Sequence, residues 1–170
     1  MKKVYLSILL VCFLGFSAFA EEKIATVDMQ KALQTVEAGK KARSLLEKEF
    51  NAKKKELQKE ENSLKKMGED FKKQSLVLSD EARIKKQNEI QERIMKFQEM
   101  TAKSQADIQQ KEQELTMPII NKLRSVIGEI AKQKGYTVVF EKNENTVLYS
   151  LDKDDLTGEV IAAYNKQSKS

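Results

Sequence analysis

The stretch FNAKKKELQKEENSLKKMGEDFKKQSLVL, residues 50–78, places an apolar residue at every seventh position. The residues of this column are Phe50, Leu57, Leu64, Phe71 and Leu78. A seven-residue apolar repeat is typical of a coiled-coil seam, because it keeps one helix face against a partner helix. The companion column is mostly polar, with Lys53, Glu60 and Gln74, so the seam is narrow. The sequence therefore predicts a long helix with weak packing.

The repeat stops at residues 75–80, and a second helical repeat follows. Ser79 or Asp80 supplies an N-cap, and Glu81 places negative charge in the first turn of a new helix. The apolar residues of this second repeat are Ile90, Ile94, Phe97, Ile108 and Leu115, with Thr101 breaking the column. Two helices joined by a short turn can pack antiparallel. We expect residues 40–111 to form a helical hairpin about 50 Å long, with its tip near 75–80.

The two ends of the chain, residues 21–39 and 112–170, have the pattern of one small α+β body. Lys23–Asp28 alternates as a short strand does, and a helix is predicted over Met29–Val36. Pro118 removes a backbone donor from the returning helix, so we expect a kink or break near Met117. A fuller apolar stripe follows the proline and consists of Ile119, Ile120, Leu123, Ile127 and Ile130. The helix is then expected to end at Lys132, Lys134 and Gly135.

Two β-rich runs, Tyr136–Phe140 and Thr146–Tyr149, flank the turn-prone segment Asn143–Asn145 and predict a β-hairpin. A last helix is expected to begin at Thr157, supported by a Leu156–Ile161 staple. A body of this size without disulfides gains stability by self-association through its strands. The residues expected in this oligomerisation body are Ile24, Val27, Val138, Val139, Phe140, Val147 and Leu148.

The first twenty residues have the pattern of a signal peptide. Lys2 and Lys3 precede the apolar run Val4–Phe16, and a small-x-small motif ends at Ala20. We expect cleavage between Ala20 and Glu21, export, and a soluble mature protein, because the run is short for a membrane span. Lipidation at Cys12 is disfavoured, since the preceding residue, Val11, is not small.

After residue 20 the chain contains no cysteine, histidine or tryptophan. This composition excludes a cysteine nucleophile, a thiolate or imidazole metal site, a disulfide and a histidine general base. Gly39–Lys41 is a poor match to a phosphate loop, because Gln34 stands at the position of the first glycine. We therefore expect no enzyme activity, no cofactor and no metal.

Positive charge is concentrated in the predicted hairpin. Residues 40–111 carry 19 basic and 13 acidic side chains, against 2 and 4 in residues 21–39 and 8 and 9 in residues 112–170. Lysine pairs supply most of this excess. A Lys/Glu-rich helix is often simply a solvated face, and that explanation stays open beside a binding role.

Several segments together resemble the Skp/OmpH family of periplasmic chaperones. The resemblance lies in the order of the signal peptide, the strand Lys23–Asp28, the Lys-rich hairpin, Pro118-Ile119, Lys134–Val139 and Asp155–Ile161. It implies an α+β, mainly α fold, in which three subunits join their strands into a body that carries three helical hairpins. It also implies an ATP-independent holdase that keeps unfolded outer-membrane proteins in the cavity between the arms.

Such a function would use basic and apolar side chains of the arm. Basic side chains attract acidic segments, and Phe and Met offer adaptable apolar contacts. The candidate client-binding residues are Lys53, Lys54, Lys55, Lys65, Lys66, Met67, Phe71, Lys72, Lys73, Lys85, Lys86, Phe97 and Met100. For the four apolar residues, ordinary seam packing is the more frequent explanation.

A second possible function would use the same arm. In this alternative the protein is an exported coiled-coil spacer or adaptor that binds one folded envelope partner. Specific nucleic-acid binding is disfavoured, because arginine is scarce and aromatic residues do not alternate with the basic ones. Weak contact with anionic lipid is expected, since attraction to phosphate is not selective.

Overall fold

The structure is a computed structural model that describes residues 22–143, 145 and 147–168. The predicted signal peptide and its cleavage site at Ala20 and Glu21 lie outside the described residues. The elements, in chain order, are β1 (Ile24–Val27), α1 (Met29–Thr35), α2 (Glu37–Gln74), α3 (Asp80–Lys134), β2 (Val138–Glu141), a 3-10 turn (Asp152–Asp154) and α4 (Thr157–Gln167).

The two long helices, α2 and α3, form the predicted hairpin. Ser79 caps α3, and its hydroxyl accepts a hydrogen bond of 3.3 Å from the backbone N–H of Ala82. Asp80 and Glu81 place negative charge in the first turn, where it interacts favourably with the helix dipole. The prediction of an α+β, mainly α fold with a long antiparallel hairpin is confirmed.

Of the kink or break predicted near Met117, the break is wrong, because α3 continues through Pro118. A proline inside a helix costs about 3 kcal/mol. The residues that follow offset this cost, since Ile119 and Leu123 are buried in the body. Burial of each such side chain contributes roughly 1.5–3 kcal/mol. One helix of 55 residues therefore belongs to both the arm and the body.

The body has one hydrophobic core, to which both ends of the chain contribute. β1 and α1 bring small side chains, α3 brings its C-terminal apolar stripe, and α4 covers them. The most deeply buried members of this core are Ala25, Val27, Ala32, Val36, Leu123, Val126, Leu156 and Val160. The limits assigned above to the body and the arm stay predictions.

The start of α4 joins the two ends of the chain by hydrogen bonds. The Thr157 hydroxyl accepts a 2.9 Å hydrogen bond from the Asp28 N–H, and the Asp155 carboxylate accepts one from the Thr157 N–H. Asp28 is itself the N-cap of α1, where its carboxylate accepts from the N–H of Lys31 at 2.7 Å. The predicted starts of α1 and α4 are confirmed, and both helices are held by the same polar group of residues.

The sheet differs from the prediction. β2 pairs with β1 in parallel, with Ile24 opposite Val138, and not with a following strand. The residues described at the second predicted strand, 147–149, are not in a strand, and Leu148 is 95% exposed. β2 takes its hydrogen bonds from β1, and the side chain of Asn143 turns the chain by accepting from the N–H of Asn145. The predicted β-hairpin is therefore wrong.

Gly39 is required at the junction of α1 and α2. A Cβ atom at this position would lie 1.7 Å from the carbonyl oxygen of Leu33, which belongs to the rigid backbone of α1. Gly68, in the last two turns of α2, has no atom of another element within 4 Å of the same hypothetical Cβ. The two glycines of α2 thus form a matched pair for substitution.

We predict that Gly39→Ala lowers the free energy of unfolding by about 1–3 kcal/mol, because the helices must move apart. Gly68→Ala should raise it by up to about 1 kcal/mol through better helix propensity. Urea unfolding followed by circular dichroism measures both. Equal stability of the Gly39→Ala protein and the parent would show that the α1–α2 junction adjusts freely.

Candidate functional site

The apolar seam of the arm lies between α2 and α3 but leaves its side chains partly open. Leu57, Leu64 and Phe71 are half-buried, whereas Phe50, at the end nearer the body, is exposed. A hairpin of two helices has no third element to cover this seam. The predicted narrow seam is therefore present, and it offers apolar surface along the length of the arm.

Two ion pairs cross the seam and fix the register of the hairpin. The Arg93 guanidinium donates to both carboxylate oxygens of Glu60, at 2.7 and 3.2 Å, and to the hydroxyl of Ser63 at 2.9 Å. Nearer the body, the Lys53 ammonium donates to the Asp107 carboxylate at 2.9 Å. The polar companion column seen in the sequence thus holds the partners of cross-hairpin contacts.

These contacts change the ionisation of the carboxyl groups. The hydrogen bond from Arg93 lowers the pKa of the Glu60 carboxyl below its usual value. The hydrogen bond from Lys53 does the same to the pKa of Asp107, and in return the pKa of Lys53 is raised by Asp107. All four groups therefore stay charged at neutral pH, and Lys53 is engaged inside the arm.

Most of the candidate lysines lie on one side of α2, which we call the lysine face. Positions 54, 65 and 72 and their neighbours 55, 66 and 73 recur at spacings of 11 and 7, so they share one side of the helix, which borders the seam at Lys54. All six side chains are exposed, and none makes an ion pair within the part of the chain that the structure describes. The lysine face is therefore free to bind an acidic partner.

The remaining candidates on α3 differ from one another. Lys85 is exposed, whereas Lys86 is half-buried and pairs with Glu89 at 3.2 Å. Phe97 and Met100 are half-buried on the seam side. On α2, the seam includes the half-buried Met67 together with Phe71. The four apolar candidates thus contribute to seam packing while keeping part of their surface open, and their binding role stays a prediction.

An open groove of about 680 Å³ lies along the body half of the arm. Phe50 and Leu57 line it from α2, and Thr101, Ser104 and Ile108 line it from α3. The groove forms because Thr101 and Ser104 are too small to fill the seam opposite the larger residues of α2. The break that Thr101 makes in the apolar column was the sequence signal for this groove.

A second apolar surface lies on the body. Ile24 pairs with Val138 across the sheet, and Phe140 stands two residues further along β2, so the three side chains share one face. All three are exposed, and so are Leu148 and Tyr149 beyond β2. Val27 is buried and Val139 is half-buried against the core. The sheet thus presents apolar side chains on the side away from its own core.

Both surfaces are open and extended along the molecule. Among the described residues, no cluster of His, Cys, Asp or Glu side chains could hold a metal ion. In the same residues, no helix has the length and apolar character needed to cross a bilayer. The geometry supports binding through extended surfaces and not through an enclosed pocket.

The fold and these surfaces define an elongated binding protein, in which a helical-hairpin arm stands on a small α+β body. The model of the family described as outer membrane protein (OmpH-like) matches residues 23–164. The chain therefore belongs to the OmpH-like family, as the sequence resemblance predicted.

Relatives of known name span nearly the whole chain. The chaperone protein Skp of Photorhabdus luminescens is 25% identical over 163 residues, covering 95% of this chain and 98% of its own length. The Skp protein of Pectobacterium atrosepticum is 24% identical, covering 89% and 91%. The crystal structure of an OmpH-like protein from Caulobacter crescentus matches the fold with a TM-score of 0.74 and 17% identity, covering 92% of each chain.

Low pH should loosen the arm through Glu60. Because the pKa of this carboxyl is lower in the folded arm than in the unfolded chain, its ion pair stabilises fully above the unfolded value, near 4.5, and is lost as the pH falls through the folded pKa. We predict that Glu60→Gln reduces the drop in Tm between pH 6 and pH 3. Glu61→Gln, at an exposed neighbour, is the control and should behave as the parent does.

Thermal unfolding followed by circular dichroism measures the two Tm values. If Glu60→Gln and Glu61→Gln lose the same number of degrees as the parent, the Arg93–Glu60 contact does not stabilise the arm.

Proposed function

We propose that this protein is an ATP-independent holdase chaperone of the periplasm, which binds unfolded outer-membrane proteins and prevents their aggregation before membrane assembly. Membership of the OmpH-like family and similarity to proteins named Skp chaperones support this proposal. Residues 1–20 would direct export as a signal peptide and would be removed by cleavage between Ala20 and Glu21.

The observation that carries the proposal is the combination of two surfaces on one arm. The lysine face is exposed and makes no ion pair with any described residue, and the seam beside it keeps its apolar side chains half open. Lysines attract acidic segments over about a Debye length, and the seam then contributes many weak apolar contacts. An unfolded chain offers both kinds of partner, whereas a folded protein has buried most of its apolar side chains.

A holdase needs no energy source for this task. A protein that binds unfolded chains in preference to folded ones lowers the free concentration of the species that aggregates. Weak contacts spread along the arm let bound segments exchange, so the client can leave when assembly begins. The residues that we assign to client contact are the lysines of the lysine face, Lys85 and Lys86, together with Met67, Phe71, Phe97 and Met100. We leave Lys53 out of this set, because its ammonium is bound to Asp107.

The cavity for the client would lie between the arms of a homotrimer. The support for self-association is the exposed apolar face of the sheet, formed by Ile24, Val138 and Phe140. The segment before α4 bridges the outer edge of β1, so β2 is the edge of the sheet that association of copies would cover. Val147 and Leu148, six and seven residues after the end of β2, would join the same interface.

We predict that Phe140→Asp breaks the trimer without unfolding the chain. The side chain is exposed in a single copy, so an aspartate there leaves the core intact but places a charge in the interface. The mass from light scattering should fall below that of three chains, with unchanged helical circular dichroism. Leu45→Asp, at an equally exposed position on α2, should keep the parent mass.

A parent protein that is monomeric at micromolar concentration would contradict the trimer. So would a Phe140→Asp protein that keeps the mass of the parent assembly.

We predict that reversing three lysines of the lysine face slows client capture. Lys54→Glu, Lys65→Glu and Lys72→Glu together should lower the association rate with an acidic unfolded outer-membrane protein roughly tenfold at low salt. Added salt should slow the parent in the same direction. Stopped-flow mixing of the protein with a fluorescent client diluted from urea measures the rate.

The matched control reverses three exposed lysines of the body, Lys31, Lys132 and Lys153, and should change the rate much less. Equal slowing by both sets would mean that net charge, and not the arm, steers the client. Unchanged capture by the arm variant would favour the alternative, a spacer that binds one folded partner.

A further inference from the structure

The arm leaves the body through two helices that are attached in different ways. α3 runs from the body into the arm without a break, but Pro118 lies at the transition and has no N–H to donate to the Glu114 carbonyl. A helix bends more easily where such a hydrogen bond is missing. α2 begins only at Glu37, after the extended backbone of Val36. The direction of the arm therefore depends on how the start of α2 is held.

The start of α2 is capped by a side chain from another helix. The first N–H groups of a helix have no partner within it, and the N-cap residue, Val36, has no side-chain oxygen. Asn165, near the end of α4, supplies the acceptor, because its Oδ1 accepts a 3.0 Å hydrogen bond from the Glu37 N–H. We call this contact the interhelical cap. It joins residues 128 positions apart, so it fixes α2 relative to α4.

α4 is itself fastened to the body part of α3. Tyr164 of α4 is buried in the core, and the Lys122 ammonium lies 5.1 Å from the centre of its ring. The Gln167 carboxamide donates to the Glu129 carboxylate at 2.9 Å. The position of α4 thus follows the body, and the interhelical cap passes that position on to the first turn of α2.

We propose that Asn165 is a positioning residue that sets the direction of the arm relative to the body, and with it the width of the client cavity. With the interhelical cap in place, both arm helices are tied to the body and the arm cannot bend at Pro118. Without the cap, the first turn of α2 frays and α3 alone directs the arm. This inference rests on the proposed function for the cavity, whereas the cap lies within one chain.

The role of Asn165 is separable from the docking of α4. Val160 and Tyr164 bury the apolar side of α4, whereas Asn165 is only half-buried. The helix therefore keeps its place in the core when the Asn165 carboxamide is removed. Asparagine is also among the side chains that cap a helix N-terminus best. The contact at Glu37 is thus the feature of Asn165 that a substitution changes most.

Introduced cysteines report the direction of the arm, because the chain after residue 20 contains none. Spin labels on Lys31→Cys in α1 and Lys96→Cys in the arm, both at exposed positions, give the distribution of distances between body and arm. The mature chain is labelled and assembled with a large excess of unlabelled chain, so that each measured pair belongs to one chain. Double electron–electron resonance measures the distribution, which should be narrow for the parent.

Three substitutions on α4 test the interhelical cap. Asn165→Ala removes the acceptor and should broaden the distance distribution about twofold, because the first turn of α2 opens locally. Asn165→Asp keeps an acceptor oxygen and places negative charge at a helix N-terminus, so it should match the parent. Gln167→Ala is the matched control. It removes a carboxamide of the same helix whose partner, Glu129, lies in the body, and should leave the distribution unchanged.

Hydrogen exchange of the Glu37 amide, followed by NMR, tests the contact without labels. The amide should exchange up to about tenfold faster in Asn165→Ala than in the parent, as the loss of one hydrogen bond implies. Circular dichroism should show the parent's helical content in all three variants. Asn165→Ala and Gln167→Ala should lose a similar number of degrees in Tm, so that only the distance distribution separates them.

Several results would overturn the positioning role. They are a parent distribution in Asn165→Ala, equal broadening in Gln167→Ala, an unchanged exchange rate of the Glu37 amide, and a loss of helical content in Asn165→Ala. The last result would assign Asn165 to the stability of the body.

Protection of a small and a large unfolded outer-membrane protein from aggregation is measured on the same variants. A change in the relative protection of the two clients by Asn165→Ala, and not by Gln167→Ala, would support control of the cavity width. Unchanged relative protection despite a broadened distribution would overturn that part and leave the control of arm direction. Broadening by Asn165→Ala without any protection by the parent would defeat the holdase and support the positioning role.

Discussion

Burial of one stripe of α3 in the body anchors the whole molecule. Ile119, Leu123, Val126 and Ile130 contact residues from both ends of the chain, and the same helix continues into the arm. Because no break separates the two parts of α3, the direction of the arm is set where its C-terminal half packs. Pro118 is tolerated at this transition, since buried side chains follow it at once. The body thus needs only a small core to support a long projection.

The arm, in contrast, is held together by few apolar contacts and few ion pairs. Its seam is one column wide, Thr101 and Ser104 leave a groove in it, and two ion pairs set its register. A more complete seam would bury the apolar surface that a binding arm has to offer. Arg93–Glu60 and Lys53–Asp107 therefore have a distinct role, because they specify which residues face each other without covering the apolar side chains.

The helices and their ends could be predicted from local sequence signals, whereas contacts between distant segments could not. The seven-residue column from Phe50, the Ser79 cap and the helix end at Gly135 each depend on neighbours within a few residues, and each was found. The pairing of β2 with β1 and the Arg93–Glu60 contact depend on the register between distant segments, so no local pattern reveals them. Of the surfaces, the lysine face was visible in the sequence, whereas the exposure of Leu76 and Val77 needed the turn geometry.

Parallel pairing of β1 with β2 has a consequence for the order of folding. The hydrogen bond from Thr137 to the Lys23 carbonyl joins residues 114 positions apart, which is a costly loop to close in an open chain. The hairpin between them has mostly local contacts near its turn and can zip from Ser79 outward. Once zipped, it brings its own two ends together, and the effective loop shrinks to the few residues that join each helix to its strand. Formation of the arm therefore precedes and speeds formation of the body, so mutations in the seam should slow formation of the distant sheet.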